Sequence, residues 1–188
     1  MAEGQTFPFS IDELVHELRT ASTEESAVEM VRGIVDRVFA DPQNVAAHTP
    51  EYEDDDVVLY EDGDISIWHC RFQPGVAVPP HDHQISATIG VYKGTERNDF
   101  YKAGANGIVP SKGIDMMPGS VLSIGPSAIH SVICTSDEPS CGIHVYHGPL
   151  TRVDRHLFDL RAGKSLPFTD GEYARLRDED DKIENQIC

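Results

Sequence analysis

The sequence predicts a mainly β fold, a small barrel with N-terminal α-helices packed outside it, from three observations. From Val57 onward the chain breaks into short apolar-rich runs separated by turn signals, the spacing of a sandwich or barrel. Residues 8–45 instead carry the 3.6-residue period of helices. Finally, His81-Asp82-His83 sets two imidazoles at i and i+2, which on a strand point to one face, and His130 follows in the distant run Ile129-His130-Ser131-Val132. Two imidazoles from one strand and a third from another can hold a metal and leave coordination positions open.

The helical region begins at Ser10-Ile11-Asp12-Glu13, a capping box with Ser10 as N-cap and Glu13 at N3, and Phe9 and Leu14 stand where a hydrophobic staple places them. Ile11, Leu14, Val15 and Leu18 form one apolar stripe. A second start is read at Ser22-Thr23-Glu24-Glu25, and Val28, Val31, Ile34, Val35 and Val38 continue the period. Asp41-Pro42 ends it, because proline disfavours helix in the residue before it. The stretch from Glu51 to Asp56 is acidic and reads as a solvated loop.

Strands are expected at Val57 to Tyr60, Ile65 to Phe72, Val76 to His83, Ile85 to Tyr92, Glu96 to Tyr101, Val121 to Ile124, Ala128 to Ile133 and Cys141 to His147, the last clear one. The turns between them include 61–64, Gln73-Pro74-Gly75, Lys93-Gly94, Pro118-Gly119 and Gly125-Pro126. One domain over 1–188 is expected: helices over 8–45, a barrel core over 57–148 and a C-terminal extension over 149–188 with a charged, solvated tail from Asp178 to Asn185.

Composition narrows the function. A net charge of −17 over 188 residues argues against nucleic acid and against an anionic membrane surface as partners. No apolar run approaches the ~20 residues of a membrane span. The start Met1-Ala2-Glu3-Gly4-Gln5 lacks the basic and apolar regions of a signal peptide. Cys70, Cys134, Cys141 and Cys188 are scattered without C-x-x-C spacing, so a cytoplasmic chain with free thiols is expected, with Cys134 and Cys141 as small buried hydrophobes.

Gly75-x5-His81-x-His83 and the run from Gly119 through Pro126 to His130 resemble the two motifs of the cupin superfamily, which implies a double-stranded β-helix (jelly-roll) barrel. The usual first motif carries a glutamate ligand four or five residues after its second histidine. Here those positions are Ala87 and Thr88, and Glu96 comes only after the Gly94 turn, so no carboxylate ligand is assigned. The remaining set, His81, His83 and His130, is neutral and leaves a divalent cation its full charge, which favours an anionic ligand such as a thiolate.

The three histidines joined to Gly90-Val91-Tyr92-x-Gly94 and to Ile143-His144-Val145-Tyr146-His147-Gly148-Pro149 resemble the cysteine dioxygenase-type thiol dioxygenases, closest to the bacterial 3-mercaptopropionate dioxygenase-like branch. The resemblance covers most of the chain. It implies ferrous iron, Fe(2+), on His81, His83 and His130, and oxidation of a small thiol to its sulfinic acid with O2. It also implies a Ser-x-His-x-Tyr relay that sets a tyrosine hydroxyl beside the metal, which makes His144 and Tyr146 the catalytic pair and puts Gly142 at the serine position. Some members crosslink this tyrosine to a cysteine. The matching position is Thr88, so no crosslink is expected. An arginine for the substrate carboxylate is missing near Val57 and Val58, whereas Arg152 and Arg155 follow the tyrosine. Arg155 is taken, with a surface ion pair as the competing reading for either.

The other histidines read as structural or surface groups: His69 alternates with Trp68 and Cys70, His147 points opposite to Tyr146, and His16, His48 and His156 lie on helix faces or the surface. Two other functions fit the same histidines, a carbon–carbon-cleaving dioxygenase and a zinc hydrolase, isomerase or binding protein. The oligomeric state and the identity of the thiol stay open.

Overall fold

The computed structural model describes residues 7–177, so Met1 to Gln5, Cys188 and the charged tail lie outside the described residues. Three helices, α1 (Ile11–Ser22), α2 (Ala27–Phe39) and α3 (Pro42–His48), precede eleven strands. Those are β1 (Asp56–Glu61), β2 (Ser66–Phe72), β3 (Ala77–Asp82), β4 (Ala87–Lys93), β5 (Glu96–Gly104), β6 (Gly107–Met116), β7 (Val121–Ile124), β8 (Ile129–Cys134), β9 (Ser140–Tyr146), β10 (His156–Asp159) and β11 (Lys164–Pro167). One sheet runs β1-β2-β9-β4-β7 and the other β11-β10-β3-β8-β5-β6, with every strand pairing antiparallel. The two facing sheets form a double-stranded β-helix (jelly-roll) barrel, with the helices outside.

The capping reading holds for α1, where the Glu13 amide donates to Ser10 Oγ at 3.3 Å. The second helix starts later than expected, at Ala27, because Ser22 and Thr23 hydroxyls bond back to the Arg19 and Thr20 carbonyls and serve the end of α1. Asp41-Pro42 ends α2 and also opens α3, with Pro42 in the first turn and Asp41 Oδ1 accepting from the Asn44 amide. Leu14, Leu18, Val31, Val35 and Phe39 from the helices pack on Ile65, Ile67, Ile143 and Val145 of the first sheet. A Cβ at Gly90 would meet the Phe39 ring at 2.7 Å, so this helix can seat on β4 only where a side chain is absent.

On β9 the alternation puts Ile143 and Val145 against the helices, leaving His144 and Tyr146 for the barrel interior. Three strands go beyond the expected set. β6 is an edge strand, which tolerates Pro110 and exposure on both faces. β10 and β11 come from the stretch read as an extension, and β10 pairs with β3 through Leu157 opposite His81, so the barrel continues past residue 148. No helix among the described residues is long and apolar enough to cross a membrane.

Candidate metal centre and cavity

Pro79 and Pro80 cannot donate to the ladder, and the β3–β8 register shifts between Val78 and His81. His81 then stands opposite His130, and His83 follows just beyond the strand. The three imidazoles converge: His81 Nε2 lies 3.1 Å from His83 Nε2, and His130 Nε2 lies 3.4 Å from the same atom. All three residues are buried, and they form the only potential metal-holding group found among the described residues.

The other ring nitrogens show why this arrangement fits a cation. His81 Nδ1 is 3.0 Å from the Pro79 carbonyl and His130 Nδ1 is 2.9 Å from Asn98 Oδ1, both pure acceptors, so each Nδ1 carries the proton. Each Nε2 is then a bare lone pair aimed at the same point. Burial holds His81 down to about 4 and His130 well below its ordinary value, so both stay neutral. Converging lone pairs repel one another, and a metal ion at their focus removes that repulsion.

Asn98 is buried on β5 and its Nδ2 donates to Glu96 Oε1 at 3.1 Å, while Ser140 Oγ donates to Glu96 Oε2 at 3.3 Å. Glu96 is thus no ligand. It stands behind Asn98, which fixes the amide orientation that holds His130. Asn98→Ala is expected to weaken metal binding by about 10- to 100-fold, the usual effect of losing such a support, measured by competition with a chromophoric chelator.

Burial also raises Glu96 from 4.5 to about 7. The unfolded chain releases this proton at the lower value, so the stability that Glu96 contributes, roughly 3 kcal/mol, is lost as pH rises from about 4.5 to about 7, opposing the gain from the buried histidines over the same range. Glu96→Gln keeps an acceptor for Asn98 and should remove that contribution, making the variant gain more stability than the wild type between about pH 5 and about pH 8. Urea titrations at about pH 5 and about pH 8 would test this, and a gain equal to that of the wild type would assign the effect to another group.

A cavity of ≈ 290 Å³ opens on the triad. His144 and Tyr146 line it together with Trp68, Phe72, Val78, Val132, Leu150 and Phe168. The Tyr146 ring stands edge-on to His83, with centroids 5.0 Å apart. His144 Nδ1 lies 3.2 Å from the Tyr146 hydroxyl. Burial keeps His144 neutral, down to about 3, and pushes the Tyr146 hydroxyl well up, so the phenol stays protonated.

His144 Nε2 is buried without a partner. Gly142, at the expected serine position, explains this: a Cβ there would lie 3.5 Å from His144 Nε2 but only 2.7 Å from the Gly90 carbonyl oxygen. The tight β4–β9 approach excludes a side chain. An unpaired buried N–H is rarer than an unpaired acceptor, which favours the proton on Nδ1. That proton is donated to the phenol oxygen, leaving the phenol hydrogen free to point into the cavity.

Arg155 lines the same cavity, with its guanidinium 4.1 Å over the Phe168 ring. Arg152 is exposed and donates to the Asp62 carbonyl. Thr88 pairs with Val145 on β9 and does not line the cavity. His69 bonds Tyr92 and His147 lies off the cavity wall, as expected. His156 is at the surface as expected, its side chain 43% exposed, and it sits on strand β10, where its backbone amide and Nδ1 both engage the Asp82 carboxylate, tying β10 to β3. Cys134 and Cys141 are buried, but Cys70 lines the cavity.

Asp56 is a correction. Read as the end of a solvated loop, it opens β1 opposite Cys70 and lines the cavity. It is reachable by solvent yet ringed by protein atoms, as a residue on a cavity wall is, and that enclosure raises its carboxyl pKa. Asp56, Asn98 and the closing residues Phe168 and Tyr173 carried no short-range signal. Strand pairing brings Asp56 and Asn98 to the site, and the chain beyond β11 brings Phe168 and Tyr173.

No known protein family profile matches the chain. Among solved structures, it is similar to an uncharacterized conserved protein with a double-stranded β-helix domain from Klebsiella pneumoniae (17% identity, 61% of this chain and 94% of that one, TM-score 0.43). It is also similar to the Cnp3 cupin domain of Schizosaccharomyces pombe (9% identity, 51% and 65%, TM-score 0.43). A third likeness is to the DMSP lyase DddQ of Ruegeria pomeroyi (14% identity, 51% and 44%, TM-score 0.42). The chain spans less than half the length of the lyase.

Proposed function

We propose that this protein is a non-haem iron(II) thiol dioxygenase that oxidises a small thiol, 3-mercaptopropionate- or cysteine-like, to its sulfinic acid with O2. One observation carries the reading: a neutral three-histidine focus and a protonated tyrosine hydroxyl, held by His144, face one cavity. The likeness of the His81, His83, His130, His144 and Tyr146 pattern to the thiol dioxygenases supports it.

His81, His83 and His130 would hold the metal through their Nε2 atoms. Bound there, a ferrous ion would supply an undiminished positive charge for a thiolate and the one-electron chemistry that O2 requires. The chain's own residues do the rest. The Tyr146 hydroxyl donates a hydrogen bond toward the reacting atoms, and His144 holds that hydroxyl in place. Trp68, Phe72, Val78 and Val132 supply the apolar part of the wall against which the substrate's carbon chain would pack. Arg155 takes the substrate carboxylate. In the net reaction RSH + O2 gives RSO2H: both oxygen atoms end on sulfur, which is oxidised as O2 is reduced.

The test is oxygen uptake by protein loaded anaerobically with iron, using cysteine, 3-mercaptopropionate, cysteamine and mercaptosuccinate, with mass detection of products. Sulfinate formed in step with uptake is the expected result. Iron bound without uptake on any thiol would overturn it, favouring a carbon–carbon-cleaving oxygenase or a zinc protein.

A further inference from the structure

We propose that Gln84 is a positioning residue for the metal ligand His83, acting through the Asp82 carboxylate, and that the same carboxylate couples the metal centre to the hairpin of β10 and β11. The inference rests on the three-histidine focus and stands apart from the thiol chemistry proposed above.

The three ligands differ in how they are held. The second ring nitrogen of His81 bonds the Pro79 carbonyl, and that of His130 bonds Asn98. Among the described residues, the His83 side chain hydrogen-bonds only through Nε2, within the histidine cluster. His83 also lies one residue past the end of β3, outside its paired register. Besides the Tyr146 ring edge-on to it, what places His83 is the turn that it opens.

That turn has a distinctive backbone. Gln84 has a φ of 58°, and it is the only residue other than glycine with a positive φ among the described residues. A side chain disfavours this left-handed region, so the surroundings must hold Gln84 there. Gln84 is exposed, so core packing does not supply the hold. A hydrogen bond does: Gln84 Nε2 donates to Asp82 Oδ2 at 2.6 Å. The bond runs between the two chain neighbours of His83 and so fixes the backbone on both sides of the ligand.

Asp82 is buried, and its carboxylate accepts from two further donors, both on β10. The His156 amide reaches Oδ1 at 2.9 Å and His156 Nδ1 reaches Oδ2 at 3.1 Å. One acceptor-only group thus joins the turn after His83 to the hairpin. The β3–β10 ladder itself is short, pairing Leu157 with His81. Just beyond β11, Phe168 stands edge-on to the His81 ring, with centroids 5.9 Å apart. A buried carboxylate that loses a donor keeps its desolvation cost, so the three bonds support one another. A metal that fixes His83 favours the ordered turn, the ordered turn completes the donors around Asp82, and Asp82 holds β10. Such coupling is reciprocal, so the docked hairpin favours metal binding by the same factor.

The experiment uses the full-length chain and cobalt(II) ion, free of oxygen, with two variants. Gln84→Met keeps the side-chain length and removes the donor at an exposed position. Asp82→Asn keeps the size of the buried group and replaces an acceptor oxygen by an amide nitrogen. Competition with a chromophoric chelator should show cobalt bound about 10-fold or more weakly in both. The visible absorption bands of the bound ion should change as well, because a displaced His83 alters the ligand field, a signature that a merely destabilised fold leaves alone. Hydrogen exchange gives the third reading. Cobalt should slow the amides of 156–167 at least about fivefold in the wild type and less than about twofold in Asp82→Asn.

Wild-type affinity and bands in Gln84→Met would overturn the role of Gln84, and a lowered unfolding midpoint with both unchanged would make it a structural contact only. Equal slowing in wild type and Asp82→Asn, or none in the wild type, would overturn the coupling. Should Asp82→Asn fail to fold, His156→Ala takes its place, removing one of the three donors from a part-exposed ring, with the slowing again expected to fall. A wild type that binds no cobalt would overturn the inference and the metal centre together. Cobalt binding is read without turnover, so a failure to oxygenate any thiol removes the proposed activity and leaves this inference to its own readings.

Discussion

His81→Ala is expected to abolish metal retention and, with it, all oxygen uptake. The reason lies in the donor count. Removing His81 leaves His83 and His130, whose Nε2 atoms are 3.4 Å apart, as a two-nitrogen site with no carboxylate among the described residues near enough to complete it. Glu96 cannot move in, because Asn98 and Ser140 hold it behind the cavity wall. The fold should survive, since among the described residues the only side-chain hydrogen bond His81 makes outside the histidine cluster is to the Pro79 carbonyl, two residues away. Metal analysis after dialysis checks the first claim. Thermal unfolding checks the second: added ferrous ion should raise the midpoint of the wild type and leave the variant unmoved, because only a state that binds ligand is stabilised by it. A variant that retains one equivalent of metal would place the site elsewhere.

The metal focus was legible in the sequence because its signals are local. His-x-His fixes a shared face by strand geometry, and alternation on β9 assigns His144 and Tyr146 inward from their spacing alone. What was not legible depends on partners far away in the chain. Asn98 matters only because β5 lies beside β8, thirty-two residues on, and nothing near Asn98 announces it. Asp56 looked like one more acid in an acidic run until its pairing with Cys70 turned it to the cavity. β6 hid behind Pro110 and a polar pattern, because an edge strand needs neither an apolar face nor every amide. β10 is four residues long, too short to show a period, and exists through its bonds to β3 and β11.

Tyr146→Phe separates holding the metal from using it. Phenylalanine preserves the ring that packs edge-on against His83 and Trp68, so metal content and thiol affinity should stay near those of the wild type. What disappears is a hydroxyl that burial keeps protonated and that His144 Nδ1 orients at 3.2 Å. A donor aimed in advance at developing charge contributes about 10²- to 10³-fold in rate, so turnover should fall by about that factor. The variant should also lose stability, because His144 Nε2 already lacks a partner and the substitution strips the other ring nitrogen as well. An unsatisfied buried polar atom costs about 1–3 kcal/mol, a loss that denaturant titration of the metal-free proteins would register. The two readouts divide the roles. A stability loss with wild-type turnover would make the His144–Tyr146 pair a structural contact, whereas a rate loss at unchanged metal content and thiol affinity would place the phenol hydrogen at the reacting atoms.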